Sequence, residues 1–139
     1  MWYNIALPSI AMILETILAL TPADYSYLAK AVQVEAASKT ADEFCVAVSI
    51  LNRVRSPLYP NNVRDVVLSP GQYEGMKYNP FAKASVIRRL RDTDSMLKAY
   101  ETIGDRTDFK GQSMLRYRVA SEDPMCDPKG NFYHYHWQS

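Results

Sequence analysis

Residues 40–54 read Thr-Ala-Asp-Glu-Phe-Cys-Val-Ala-Val-Ser-Ile-Leu-Asn-Arg-Val, and this stretch decides the fold. From Phe44 to Val54 apolar side chains fall on almost every side of a helical wheel, so the segment is predicted to form a helix at the centre of the protein. Ahead of it, Thr40-Ala41-Asp42-Glu43 has the form of a capping box, in which the Thr and Glu side chains each satisfy an orphan backbone N–H; Glu43 is therefore given a structural role. Pro57 ends the helix, because proline cannot continue the hydrogen-bond ladder. Asn52 lies toward the apolar side, near Cys45 and Val48, where it either satisfies buried backbone or supports a neighbouring site. Arg53 falls on the Ser49 and Asp42 side and reads as a packing or ion-pair residue.

Working outward toward the N-terminus, Thr21-Pro22-Ala23-Asp24 is a helix start, with Thr21 as N-cap and Pro22 at the first helical position, and the helix is predicted over 22–37. Leu28, Ala31, Val32 and Glu35 share one face of it, while Lys30 and Gln33 point away. A carboxylate on an apolar face is either paired with an arginine, exposed by curvature, or desolvated; desolvation favours the protonated form that a general acid needs. Earlier still, Ile10, Ile13, Leu14, Ile17 and Leu18 gather on one face of an amphipathic helix, which either packs on its own domain or docks on a partner.

Toward the C-terminus, Tyr59-Pro60-Asn61-Asn62 reads as a turn, and Val63–Leu68 is too short for its period to separate helix from strand. Ser69-Pro70-Gly71-Gln72 carries Pro and Gly at the centre of a type II turn that presents Gln72 and Tyr73. A helix from Asn79-Pro80 through Arg91 and another from Asp92-Thr93-Asp94 to about Gly104 follow. The period then changes. Met114–Val119 and residues 132–137 alternate as strands, and Asp127-Pro128-Lys129-Gly130 offers a hairpin turn between them. The fold class is mainly helical α+β with a small C-terminal β-hairpin, one domain over residues 1–139.

Composition narrows the function classes. Sixteen basic against fifteen acidic residues leave a net charge of +1, which gives no overall drive toward nucleic acid. The first twenty residues lack a basic n-region and are interrupted by Asn4, Pro8 and Glu15, so neither a secretory signal nor a membrane span is expected. Cys45 and Cys126 fit no metal-binding pattern and are read as idle thiols; with only His134 and His136 besides, no metal and no cofactor is assigned. Those two histidines share a strand face and read as solvated or glycan-contacting, and Tyr133, Tyr135 and Trp137 form either a platform for sugar rings or plain hairpin packing. Arg88, Arg89 and Arg91 read as a solvated basic face.

The string Leu28-Ala29-Lys30-Ala31-Val32-Gln33-Val34-Glu35-Ala36, then Val46-Ala47-Val48-Ser49-Ile50-Leu51-Asn52-Arg53-Val54, Tyr59-Pro60-Asn61-Asn62-Val63 and Pro70-Gly71-Gln72-Tyr73, resembles the SleB-type cell-wall hydrolase family. The resemblance covers about Asp24 to Tyr73 well and the remainder loosely. It implies a shortened lysozyme and lytic-transglycosylase-like core, peptidoglycan glycan strands as substrate, Glu35 as the catalytic acid, and Gln72, Tyr73 and Tyr117 lining the groove, with Asn52 and Glu74 in support. The family's E-A-R-G-E motif is here Glu35-Ala36-Ala37-Ser38-Lys39, a lysine standing where a second acid is usual, which favours a one-acid, transglycosylase-type mechanism over a paired-acid one. Action at the cell wall after synthesis in the cytoplasm follows, either as a free hydrolytic endolysin or carried in a phage virion. In the second case a virion protein would contact the Ile10–Leu18 helix, and a binding protein that merely keeps the hydrolase fold is the alternative to an enzyme.

Overall fold

A computed structural model describes residues 3–111 and 123–138. In chain order the elements are α1 (Tyr3–Leu18), α2 (Pro22–Glu35), α3 (Asp42–Val54), α4 (Val63–Val67), a 3-10 turn (Glu74–Tyr78), α5 (Ala84–Leu90), α6 (Thr93–Ile103), β1 (Asp108–Lys110), β2 (Phe132–His134) and a final 3-10 turn (His136–Gln138). Helix α3 is the central element, flanked by α2, α4 and α6 and buried on nearly every side, as its unbroken apolar wheel requires. Leu28 and Val32 of α2, Val46, Ile50 and Leu51 of α3, and Met96 and Ile103 of α6 are all fully enclosed in one core with Tyr133 of β2. The fold is mainly helical α+β, as the sequence predicts.

The caps fall partly where expected. Thr21 Oγ1 accepts from the Asp24 N–H at 3.1 Å and Asp24 Oδ2 from the Thr21 N–H at 2.9 Å, a reciprocal box that starts α2. At α3 the box does not form. Lys39 takes a left-handed backbone, φ 62°, and its own N–H reaches Glu43 Oε1 at 3.1 Å, while Thr40 Oγ1 donates to the Ala37 carbonyl. Glu43 stays structural by another route, receiving Arg89 Nε at 2.8 Å. Arg89 is thus tied to the core, and Arg91 lies over the Tyr25 ring, so the basic face is not simply solvated. Asn62 caps α4, which settles Val63–Val67 as helix.

Helix α5 is shorter than the periodicity suggests because Gln33 competes for its first turn. The Gln33 amide donates to the Phe81 carbonyl at 2.7 Å and accepts from the Lys83 N–H at 2.8 Å, bracketing the chain in an extended course. Helix α1 packs on its own domain through Ile13 and Ile17, both buried, whereas Ile10 and Leu18 of the predicted face are exposed. The buried stripe is narrower than the sequence face. Among the described residues no helix is long and apolar enough to cross a membrane.

In the C-terminal β element strand β2 pairs antiparallel with β1, placing Asp108 opposite His134 and Phe109 opposite Tyr133; the expected strand Met114–Val119 lies outside the described residues. The turn at 127–130 does reverse the chain, with the Gly130 N–H on the Asp127 carbonyl at 2.9 Å and Met125 bridging to Phe132. Strand β2 ends at His134, so 134 and 136 do not share a strand face; His134 is buried, against the solvated or glycan-contacting histidine expected, and of its two alternatives Tyr133 takes plain packing. Burial holds the His134 imidazole below its ordinary pKa.

Cys45 and Cys126 form a disulfide, correcting the reading of two idle thiols. It ties the C-terminal segment to α3 across a sequence separation of 81, a loop long enough for cross-linking to restrict the unfolded chain strongly. Replacing both cysteines by serine is expected to lower unfolding stability by about 2–4 kcal/mol in denaturant titration, without changing the far-ultraviolet dichroism of the folded state.

Candidate active site

Glu35 is the last residue of α2, half-buried at the mouth of a cleft of about 280 Å³ lined also by Arg53, Gly71, Gln72, Tyr73, Glu74 and Phe109. Burial raises its carboxyl pKa, Arg53 opposes that rise, and Glu74 adds to it. The negative end of the α2 dipole acts in the same direction as burial. No ion pair to Glu35 is present among the described residues, so the arginine-paired alternative is not what the structure contains.

Arg53 organises the cleft, a role the wheel of α3 did not reveal. Its guanidinium is buried; Nε donates to the Thr107 carbonyl at 2.8 Å, Nη1 donates to Gln72 Oε1 at 3.1 Å, and Nη2 lies 3.8 Å from Asp108. The same group sits 4.6 Å from the Tyr59 ring centre and 5.4 Å from that of Tyr73. Only this fan of donors, with rings on its flat faces, makes a buried cation tolerable. Asparagine 52, in contrast, spends its amide on the Gly104 and Arg106 carbonyls, both at 2.8 Å, and accepts from Arg55 at 2.7 Å. Of its two alternatives the structure contains the backbone role.

The Arg53 bond also orients Gln72. A guanidinium offers donors only, so the amide atom facing it is the oxygen, leaving the exposed amide nitrogen as the donor available in the cleft. The Ser69–Gln72 turn closes as predicted, with the Gln72 N–H on the Ser69 carbonyl at 3.1 Å and Gly71 at φ 77°. Tyr73 is a wall of the cleft rather than an open sugar platform: its ring is 6 % exposed, packs near Phe109, and its backbone is left-handed at φ 47°. Its buried hydroxyl has no hydrogen-bond partner among the described residues, and burial pushes its pKa far up. Glu74 is exposed and lies 3.7 Å from Lys77. Tyr117 is outside the described residues.

Two further contacts hold these parts in place. No local pattern in the sequence marks Asn131 for a part in them. Asn131 Nδ2 donates to the Glu35 carbonyl at 3.0 Å and to Asp42 Oδ2 at 2.7 Å, and Asp42 Oδ1 receives the Tyr133 hydroxyl at 2.6 Å, so Asn131 pins the C-terminal segment to the end of α2 and buried Asp42 pins it to the start of α3. Gly75 meets α2 so closely that a Cβ there would lie 2.7 Å from Val34 Cβ. Lys39, where the second acid of the motif would stand, is exposed and is not part of the cleft lining. Among the described residues no cluster of three or more His, Cys, Asp and Glu is arranged to hold a metal.

Compared with known families, residues 37–138 match the cell wall hydrolase family. The chain belongs to that family. This cell wall hydrolase is a peptidoglycan-cleaving enzyme, and the match extends through the C-terminal half that the motif resemblance covered only loosely. It begins two residues after Glu35, so the place of Glu35 in the hydrolase rests on the cleft itself. No curated protein and no solved structure matches the chain.

Substituting Gly75→Ala in the hydrolase should push the 72–78 segment away from Val34, costing about 1–3 kcal/mol of stability and displacing Gln72. Activity on purified sacculi should then fall by more than the folded fraction alone accounts for, which parallel unfolding and turnover assays would measure.

Proposed function

We propose that this enzyme is a lytic transglycosylase in which Glu35 acts alone, first as acid and then as base. The observation that carries the reading is the asymmetry of the cleft's carboxylates. Glu35 is half-buried with a raised pKa, whereas Glu74 is exposed and beside Lys77, and the motif's second acid position is a lysine. A hydrolytic muramidase of the paired-acid type needs two carboxyl groups flanking the bond. The one-acid route needs none beyond Glu35. Glu35 gives its proton to the glycosidic oxygen as the bond from the anomeric carbon breaks. The sugar's own 6-hydroxyl oxygen then bonds to that carbon, and its proton returns to the Glu35 carboxylate, leaving a 1,6-anhydro end and a regenerated acid. The Gln72 amide nitrogen is suited to an N-acetyl carbonyl, since it is the donor end that Arg53 leaves free. The site of action is then the cell wall.

Replacing Glu35 by Gln should cut turnover of sacculi by about 10²- to 10⁴-fold. Mass spectrometry of wild-type products should find anhydro-muropeptides; reducing ends alone would mean a hydrolytic mechanism, and undiminished cleavage by the variant would remove Glu35 from the reaction.

The raised pKa fixes the sign of two pH effects. A general acid must start protonated, so activity should fall as pH rises through the Glu35 pKa, and Glu74→Gln, by removing a charge that raises it, should move that limb to lower pH. A carboxyl whose folded pKa lies above its unfolded one stabilises the fold below the unfolded value, about 4.3, and loses that contribution as pH rises through the folded value. Thermal unfolding of Glu35→Gln should therefore be higher than wild type at about pH 8, with the gain vanishing below about pH 4.

A further inference from the structure

The cleft at Glu35, about 280 Å³, is smaller than the roughly 300–1,000 Å³ that encloses one drug-sized ligand, while a glycan strand is a polymer. Most of any bound strand must therefore lie on the surface outside it. The small sheet gives that surface a direction. Asn131, just before β2, bonds the carbonyl of Glu35, and Phe109 of β1 lines the cleft opposite Tyr133. Beyond His134 the chain continues past Asp108 to Tyr135, His136 and Trp137, about 20 Å at most from Asn131 along extended backbone.

There the side chains form a stack. Trp137 lies parallel to Tyr135, 5.7 Å between ring centres and 9° between planes, and the Arg106 guanidinium sits 4.6 Å from the centre of the Tyr135 ring. The backbone under the stack is closed twice, the Tyr135 N–H on Gln138 Oε1 at 2.8 Å and the Gln138 N–H on the Tyr135 carbonyl at 2.9 Å. Trp137 is nonetheless 79 % exposed. A single exposed apolar side chain needs no partner to explain it, and Tyr78 and Phe81 are exposed too. What separates Trp137 is that its ring stacks on another ring. The residue before it in the chain, His136, has its Nδ1 on the Tyr59 hydroxyl at 2.8 Å and 3.7 Å from Asp108. A flat apolar face edged by hydrogen-bonding groups is complementary to a pyranose ring, which is itself apolar on its C–H face and polar around its rim.

We propose that the Arg106, Tyr135 and Trp137 stack is a second glycan-binding site, taking a sugar of the same strand several residues away from the bond cleaved at Glu35. The inference rests on the reading of that cleft as the place of glycan cleavage. The site adds affinity for polymer and takes no part in the chemistry. A ring already stacked on Tyr135 has less conformational freedom to lose on binding than a free one.

The test is co-sedimentation with purified peptidoglycan sacculi in the Glu35→Gln background, so that binding is read without turnover. Trp137→Ala should weaken retention about three- to tenfold, Trp137→Phe should keep most of it, and Phe81→Ala, an exposed aromatic off the sheet, should change nothing. In the active enzyme Trp137→Ala should lower kcat/KM on sacculi while leaving it unchanged on a muropeptide tetrasaccharide. Equal retention by the Trp137→Ala and Phe81→Ala proteins overturns the proposal. So does unchanged sacculus binding accompanied by lost binding to phosphatidylglycerol vesicles, which would assign the ring to a membrane surface. Undiminished cleavage by Glu35→Gln would sink the catalytic assignment while leaving a Trp137 binding loss to stand by itself.

Discussion

A buried guanidinium must be fully satisfied or it costs several kcal/mol, and the cleft of this protein is what satisfies Arg53. Its partners come from separate parts of the chain: the Thr107 carbonyl and Asp108 before and within β1, Gln72 after the turn at Gly71, and the rings of Tyr59 and Tyr73. None of these segments touches another through regular secondary structure. The cation at the end of α3 gives them one meeting point, and their meeting encloses the space above Glu35. The charge that assembles the site also acts on the acid in it, pulling the Glu35 pKa down against burial. The net direction remains upward, so the ionised carboxyl costs the fold some stability at neutral pH.

The other end of the site depends on a second buried charge. Asp42 accepts from Asn131 and Tyr133, and Asn131 reaches the last carbonyl-bearing turn of α2 at Glu35. Burial raises the Asp42 pKa, while the bonds from Tyr133 and Asn131 hold it down. Together with the Cys45–Cys126 disulfide this clamps the C-terminal segment onto α3 from both sides of the turn at 127–130. A short two-stranded sheet has little stability of its own, and these attachments supply it. The aromatic stack proposed above as a glycan site follows directly on the strand that this clamp holds.

Local signals in the chain were sufficient for most decisions between neighbours a few residues apart, the capping box at Thr40–Glu43 being an exception. The centrality of α3, the cap at Thr21, the turn through Gly71, the limits of α6 between Asp92 and Gly104, and the odd carboxylate on the apolar face of α2 all follow from period, proline and glycine placement, and capping chemistry. Ordered motifs then pointed to the cell wall hydrolase family, which residues 37–138 match.

Only the tertiary structure decided the pairings across long separations. It joined β2 to β1, made a disulfide of two cysteines that local spacing left idle, shortened α5 because Gln33 captured its first turn, buried Tyr133 and His134, and turned Arg53 from a packing residue into the organiser of the cleft. The reason is physical. Helix period and turn chemistry are properties of a short stretch of chain, whereas the partner of a buried charge, a strand edge or a thiol is whatever the packed core brings within reach. Sequence by itself determined that an acid stands on the apolar face of α2; the folded chain decided that the space over it is a cleft, with one carboxyl desolvated and the other left in water.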